Sequence, residues 1–365
     1  MADDFGYHID HHGSLVRPPA LLAAQASGMD AVALAAATDE AVVTLAHELR
    51  RLTLNAVCDG QYRRSSFESV IHDQVTGFAP ADGPAPLSGL AGIGAARRRA
   101  VPDAAGLAAS GRLAQAEAAP VLATVDRSVF VTLPSPGYLA AAGSALSSAA
   151  DLDAARAAGA ALTAILRAEI AALATDGVMY VALENPLYAP LLTVDGRAAA
   201  AAAGVDVPAA LAALIEADRA VFAGLDVRPD FRVGLDLTDA GPLPTTAAGY
   251  DATAVAALLD ETPFPRISID YPAEPAARFP VELVKPGIVI SLGAVDVSTA
   301  TAESVEEILD RIDPVADERG DADIAVATNG GFAQVADQPL MSASGQRAKL
   351  QLVEMVARYY WGNEI

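Results

Sequence analysis

The sequence predicts an α/β protein of the (β/α)8 TIM-barrel class. Three observations predict it: eight short β-branched runs that end in polar or turn residues, helix-period segments between most of them, and a length of 365 residues. Strands alternating with helices imply parallel pairing, because a parallel neighbour needs a crossover long enough to hold a helix. A hydrophobic fraction of 53% supplies the core that a sheet covered on both faces requires.

The first run spans Ile9 to Ser14 and the second Ala56 to Asp59. Val129 to Leu133, Val178 to Leu183 and Arg232 to Leu237 follow, and Arg266 to Asp270, Ile288 to Leu292 and Ile324 to Thr328 complete the series. Between them, residues 30–53, 138–174, 207–222, 252–260 and 302–318 place apolar side chains three and four apart, the spacing of one helix face. Residues 77–118, rich in Pro, Gly and Ala, are too many for an ordinary connection and read as an insertion after the second strand, placed to act as a lid. Residues 1–365 are expected to form a single domain carrying this insertion. An open doubly wound sheet is the alternative. It is weakened because no Gly-x-Gly-x-x-Gly follows an early strand, and the best glycine-rich stretch, Gly89 to Gly94, has no strand before it.

Asp and Glu number 46 against 24 Lys and Arg, a formal net charge of −22 that repels phosphate backbones and anionic lipid. Neither a nucleic acid nor a membrane is expected as partner; a small molecule is, and homo-oligomerisation stays open. The compact basic run, Arg97-Arg98-Arg99, reads as a solvated helix face or part of the lid. Alanine-rich runs around 141–165 and 194–214 are broken by charged residues and Gly, and read as helices of a water-soluble protein. The acidic start Met1-Ala2-Asp3-Asp4 lacks the basic and apolar stretches of a secretory signal, so the expected location is cytoplasmic. A single cysteine, Cys58, excludes an intramolecular disulfide and any metal site needing two thiolates from this chain.

Polar residues fall at or just past the ends of the runs: Ser14, Asp59 with Gln61, Ser135, Glu184 with Asn185, Asp236 with Thr238, Asp270, Asp296 with Ser298, and Asn329. In a parallel barrel these ends converge on one mouth, where catalytic side chains sit. Carboxylates at strand ends also cap the following helix, so either role is open to any one of them. Asp236, Asp270 and Asp296 are the candidate acid/base groups; Asp236 and Asp270 end neighbouring strands and are expected to raise each other's pKa. His72, between the second strand and the insertion, is a further acid/base candidate. Arg17, Arg63, Arg64 and Arg232, a substrate ammonium or a hard divalent cation such as Mg²⁺ could balance the acids. His8 and His12 point to one side of an extended strand and His11 to the other, so these three read as barrel-floor packing or hydrogen bonding. His47 reads as a helix-surface residue.

Six stretches in order carry a family likeness: His11-His12-Gly13-Ser14-Leu15-Val16-Arg17-Pro18, Cys58-Asp59-Gly60-Gln61-Tyr62-Arg63-Arg64, Val131-Thr132-Leu133-Pro134-Ser135-Pro136, Leu183-Glu184-Asn185-Pro186, Ile267-Ser268-Ile269-Asp270 and Asn329-Gly330-Gly331-Phe332. Together they resemble the catalytic domain of cobalamin-independent methionine synthase, and more particularly its short single-barrel relatives, which include epoxyalkane:coenzyme M transferase. The resemblance implies a zinc ion that activates a thiol, held by a His-x-Cys after the fifth strand, an acid or Cys after the sixth and a Cys after the eighth. Matching positions here hold Asp236 and Thr238, Asp270, and Gly330; Ser298, after Asp296, stands where the family has a His. With these replacements no zinc is expected, since oxygen ligands suit hard cations better than zinc.

By the same resemblance Ser14 and Gln61 contact an amino-acid-like substrate, with Gln61 replacing a Glu, and Glu184 replaces an Asp that pairs with its ammonium. Asn185, Thr238, Ser298, Asn329, Arg17 and Arg63 complete the expected binding residues. The function read from all this is a methionine-synthase-like enzyme acting on a small polar metabolite. Its strand-end carboxylates would carry methyl transfer or lyase-type chemistry, with a folate-type methyl donor or a hard divalent cation as the open cofactors. A zinc methyltransferase with unusual ligands and a non-catalytic metabolite-binding barrel are the alternatives.

Overall fold

The computed structural model describes residues 8–54, 56–80, 85–93, 100–126, 128–238 and 249–362. The acidic start at Met1–Asp4, the run Arg97–Arg99 and parts of the 77–118 insertion lie outside the described residues. Seven strands form one sheet: β1 (Ala56–Val57), β2 (Ser128–Pro134), β3 (Tyr180–Glu184), β4 (Arg232–Asp236), β5 (Arg266–Asp270), β6 (Val289–Val295) and β7 (Ile324–Thr328). They lie side by side in chain order, and every pairing is parallel. The principal helices are α1 (Ala31–Arg51), α2 (Ala149–Asp176), α3 (Val194–Ala202), α4 (Val207–Arg219), α5 (Ala252–Leu259), α6 (Val305–Arg319) and α7 (Ala343–Trp361).

The register explains the sheet's interior. Leu133, Leu183, Leu235, Ile267, Ile290 and Ile324 pair successively across six strands, forming one apolar row. One residue further on, Pro134, Glu184, Asp236, Ser268 and Ser291 form the next row. Asp270 pairs with Gly293, two residues beyond Ser268, and so stands roughly 6–7 Å higher along the strand direction than the Asp236 row.

The predicted first strand differs from the structure. Ile9 makes a single parallel bridge with Val326, supported by Asp10 N–H donating to Val326 O (3.0 Å) and Val326 N–H to His8 O (2.9 Å). The chain then turns: Gly13 has φ +73°, and Ser14 N–H closes onto His12 O at 2.8 Å. That turn ends the extended run before a ladder forms. On its other side the segment meets the end of β1, where Leu15 N–H donates to Gly60 O at 3.0 Å. Asp10 also reaches Arg266 at 2.8 Å in an ion pair buried on both sides, tying this segment to β5.

The helical expectation for 138–174 also needs correction. A short helix, Pro136–Ala141, precedes α2, and the chain between them passes through Leu146 at φ +53°. The restart is set by a capping box in which Ser148 and Asp151 satisfy each other's backbone N–H groups. α2 is long and apolar enough to cross a membrane, but about half of its apolar stretch is buried within the chain. Leu162, Leu166, Ile170 and Leu173 are fully covered within the chain.

Between β1 and β2, Val75–Thr76 pairs with Ala108–Ala109 and Phe78–Pro80 with Ala100–Pro102, both antiparallel. A short helix, Pro86–Leu90, packs on α3.

One buried carboxylate clasps the loops that follow β2 and β3. Asp218 on α4 accepts from Gly137 N–H (2.7 Å), Asn185 Nδ2 (2.9 Å) and the Tyr188 hydroxyl (3.0 Å). A Cβ at Gly137 would lie 2.7 Å from that carboxylate, so the approach depends on glycine. Asp218→Ala would leave these donors buried without an acceptor, at an expected cost of about 3 kcal/mol or more in urea unfolding. Tyr188→Phe removes one donor together with its need, and should cost about 1 kcal/mol. Equal losses in the two variants would mean that the carboxylate does not organise the clasp.

Candidate active site

The structure gathers some of the sequence-predicted residues into two groups and places the rest apart from both. Asp270, Asp296, Ser298 and Asn329 stand in the wall of one cavity of about 540 Å³, built past the ends of β5, β6 and β7. A register shift between Gly293 and Val295 breaks the β6–β7 ladder, and Gly293 and Ala294 line the cavity there. Asn329 holds the loop after β6: its Oδ1 accepts from Val297 N–H (2.9 Å) and its Nδ2 donates to Asp296 (3.3 Å). Asp296 also accepts from Ser298 N–H (2.8 Å) and Oγ (2.9 Å), so this loop presents its carboxylate in a fixed orientation.

Apolar side chains also line the cavity: Pro190, Ala199 and Tyr250, with Leu90 from the short helix Pro86–Leu90. Tyr250 is placed by an antiparallel bridge to Thr193, with Asp251 N–H donating to Leu192 O at 2.8 Å. Two glycines shape the space. A Cβ at Gly293 would meet Ile269 O at 2.7 Å and Asn329 Cα at 2.9 Å; one at Gly196 would meet Pro190 O and Thr193 Oγ1 at 2.5 Å.

Burial raises the Asp270 pKa first, and the neighbouring Asp296 carboxylate adds to it; together they push Asp270 up to about 7, against a hydrogen bond from Asn329. The acid that perturbs Asp270 is therefore Asp296, in place of the expected Asp236, which the register puts one layer lower. Asp270 Oδ1 has no hydrogen-bond partner among the described residues.

The second group lies in the lower layer. His12 Nδ1 is 2.5 Å from Asp236 Oδ2, and its Nε2 donates to Thr328 O at 2.7 Å. A carbonyl can only accept, so Nε2 carries a proton and the remaining proton lies between Nδ1 and the carboxylate. Thr238 completes the contact, giving its hydroxyl (2.7 Å) and N–H (2.9 Å) to Asp236 Oδ1. Burial opposes a charged ring, but Asp236 more than offsets it and the His12 pKa rises to about 9. Glu184 acts electrostatically on both His12 and Arg64. Nearby, Gln61 at φ +58° donates Nε2 to Thr132 Oγ1 (2.8 Å), and Ser14 Oγ accepts from Ala333 N–H (3.4 Å), touching the place a Gly331 side chain would fill.

Other predicted residues fall elsewhere. Arg17 is buried and gives its guanidinium to the carbonyls of Ala333 (2.6 Å), Gln61 (2.7 Å) and Arg64 (3.0 Å). Arg64, fully covered, pairs with Glu117 at 2.8 and 2.7 Å. Arg63 pairs with Asp39 and donates to Ala116 O (2.9 Å). Asn185 serves the Asp218 clasp. His72, half-buried in the short helix Ser69–His72, packs edge-on against Phe78 at 4.8 Å and does not line the cavity. His8 stacks on Trp361 at 4.2 Å, and His11 meets Phe130 edge-on at 4.8 Å, the floor packing expected for both.

His12, read from the sequence as floor packing or hydrogen bonding, does hydrogen-bond, to a partner that lies 224 positions away.

No family model matches the chain, and no curated protein matches it. Among solved structures it is similar to a Listeria monocytogenes protein assigned to the vitamin-B12 independent methionine synthases, with a TM-score of 0.67 at 17% identity over 98% of each chain. It is also similar to a B12-independent methionine synthase from Shewanella sp. W3-18-1, solved in complex with selenomethionine, with a TM-score of 0.71 at 16% identity over 97% of each chain. The fold is that of these methionine synthases.

The positions matched to the zinc ligands do not fit a soft metal centre. Both Asp236 oxygens are engaged by His12 and Thr238, and Gly330 offers no side chain. Among the described residues no three of His, Cys, Asp and Glu converge as a metal-binding group. Cys58 is buried, and burial followed by the nearby Asp59 pushes its thiol pKa well above the ordinary value, away from the thiolate a metal needs.

The His12–Asp236 pair sets a pH test. A histidine whose folded pKa exceeds its unfolded value contributes stability that is fully present below about 6.5 and is lost as pH rises through about 9. Wild-type unfolding free energy should therefore fall by on the order of 2–3 kcal/mol across that window, and His12→Gln should lack this component. Identical pH slopes in the two proteins would show that His12 is not held charged.

Proposed function

We propose that this chain is a methionine-synthase-like methyltransferase whose acceptor, a small polar metabolite, binds in the 540 Å³ cavity and whose proton-carrying group is Asp270. One observation carries the reading: Asp270 ends β5 in the cavity wall with a pKa near 7, beside Asp296, which Ser298 and Asn329 hold in place. A base poised near neutrality is what abstraction of an acceptor proton requires. The methionine-synthase fold of the solved neighbours supports the reaction class.

In this reading a heteroatom of the acceptor forms a bond to the methyl carbon of a folate-type N-methyl donor. The N–CH₃ bond breaks with its electron pair left on the donor nitrogen, which takes up a proton, while the acceptor's proton passes to the Asp270 carboxylate. The lower-layer pair of His12 and Asp236 acts as a positioning element that fixes the floor, because both imidazole nitrogens and both carboxylate oxygens are engaged. Ser14, Gln61 and Glu184 belong to that lower layer and do not line the cavity, and the 77–118 segment, which supplies Leu90 to the wall, acts as the cavity's lid. Residues 9–14 take the place of an eighth strand between β7 and β1. Lyase chemistry has no observation in its favour.

The test is transfer of labelled methyl from 5-methyltetrahydrofolate to a panel of small amine and thiol acceptors. Turnover should rise with pH through about 7 as Asp270 ionises. It should fall about 10²-fold or more in Asp270→Asn, with the thermal midpoint unchanged. It should survive Cys58→Ser and a strong zinc chelator. Near-normal turnover in Asp270→Asn, or loss of activity on chelation, would overturn the assignment.

A further inference from the structure

The cavity has an unbalanced charge. Asp195, Asp270, Glu274, Asp296 and Glu303 line it, against one basic side chain, Arg311. Arg311 is already committed, donating to Glu303 at 2.6 Å and to Tyr271 O at 3.3 Å. The other four carboxylates have no ion-pair partner among the described residues. They are distributed around the space and do not converge: no group of three could hold a metal ion among the described residues. Apolar groups share the wall, among them Tyr250, Pro190, Pro272 and Ala199. A volume of about 540 Å³ lies within the roughly 300–1,000 Å³ of ordinary small-molecule sites.

We propose that this cavity binds an organic cation, an ammonium carried on an apolar body, and that it discriminates against anionic ligands. The inference rests on the preceding reading for the cavity's role as the acceptor site, and it names the class of that acceptor. A divalent metal would need its ligands gathered within bonding distance. A protonated or alkylated amine instead spreads its charge over several donors or methyl groups and can satisfy acids at different points of a wall. The apolar body gains from contact with Tyr250 and Pro190, and an aromatic face attracts a nearby ammonium. Carboxylates that face the cavity without a balancing cation repel an anion, so the same wall supplies selectivity.

Binding to the full-length protein by calorimetry tests this with 2-phenylethylammonium, cyclohexylmethylammonium and choline. Each is paired with an alcohol or hydrocarbon of similar shape and with the corresponding carboxylate. The cations should bind, and the neutral and anionic counterparts should bind at least about 10-fold more weakly. Asp296→Asn should weaken the cations about 10-fold. Ala199→Phe, which removes room but no charge, should abolish binding while leaving the thermal midpoint near wild type. Failure of all three cations, equal binding of carboxylates, or cation binding unchanged in Ala199→Phe would overturn the proposal. Methyl transfer is scored separately: cation binding without transfer removes the methyltransferase reading and leaves this one standing.

Discussion

His12 and Asp236, 2.5 Å apart, join the start of the chain to the end of β4, and the arrangement of the mouth follows from that contact. Among the described residues the N-terminal segment makes one ladder bridge, to Val326, so backbone pairing alone holds it weakly. Side-chain contacts reaching into the sheet's interior do the rest: His12 to Asp236 and to the Thr328 carbonyl, and Asp10 to Arg266. Buried charges are costly when unpaired, so each of these pairs disfavours any shift of the segment that would separate its members. With the segment fixed, Ser14 is set against Gly331 and Ala333, and Leu15 against Gly60.

Two layers of polar groups result, and they differ in kind. In the lower layer His12 is matched with Asp236, and both imidazole nitrogens and both carboxylate oxygens are engaged within the chain. The upper layer around Asp270 is unmatched, with acid beside acid and an oxygen lacking a partner. Groups left in that condition raise the energy of the free protein, which is the usual mark of a surface organised for something that binds.

Much of this was legible in the sequence. Arg266 to Asp270 and Ile324 to Thr328 were bounded correctly because their β-branched cores end abruptly in a carboxylate or a hydroxyl and a turn. The placing of Asp270, Asp296, Ser298 and Asn329 at a common end followed from parallel alternation alone. Other features depended on distances a linear reading does not contain. The identity of the acid that perturbs Asp270 depends on register, a two-residue offset between β4 and β5 that no local pattern encodes. The break before α2 was hidden because Ala, Leu and Ser continue the helical period through Gly143 and Leu146. Helix α7 was missed because charged and polar residues interrupt the row of Leu350, Val353, Val356 and Ala357 that it buries.

The two glycines of the cavity wall bear on how such a protein could change its ligand. At Gly293 and Gly196 any side chain would press on main-chain atoms, which cannot swing aside as a flexible side chain can. The β6 side of the cavity and the first turn of α3 are thereby closed to gradual remodelling. Room for variation is left at Ala199, Ala273 and Ala277, which face the same space from a helix and a loop. Descendants of this sequence that come to prefer a smaller or differently shaped ligand should carry their substitutions there, with both glycines kept.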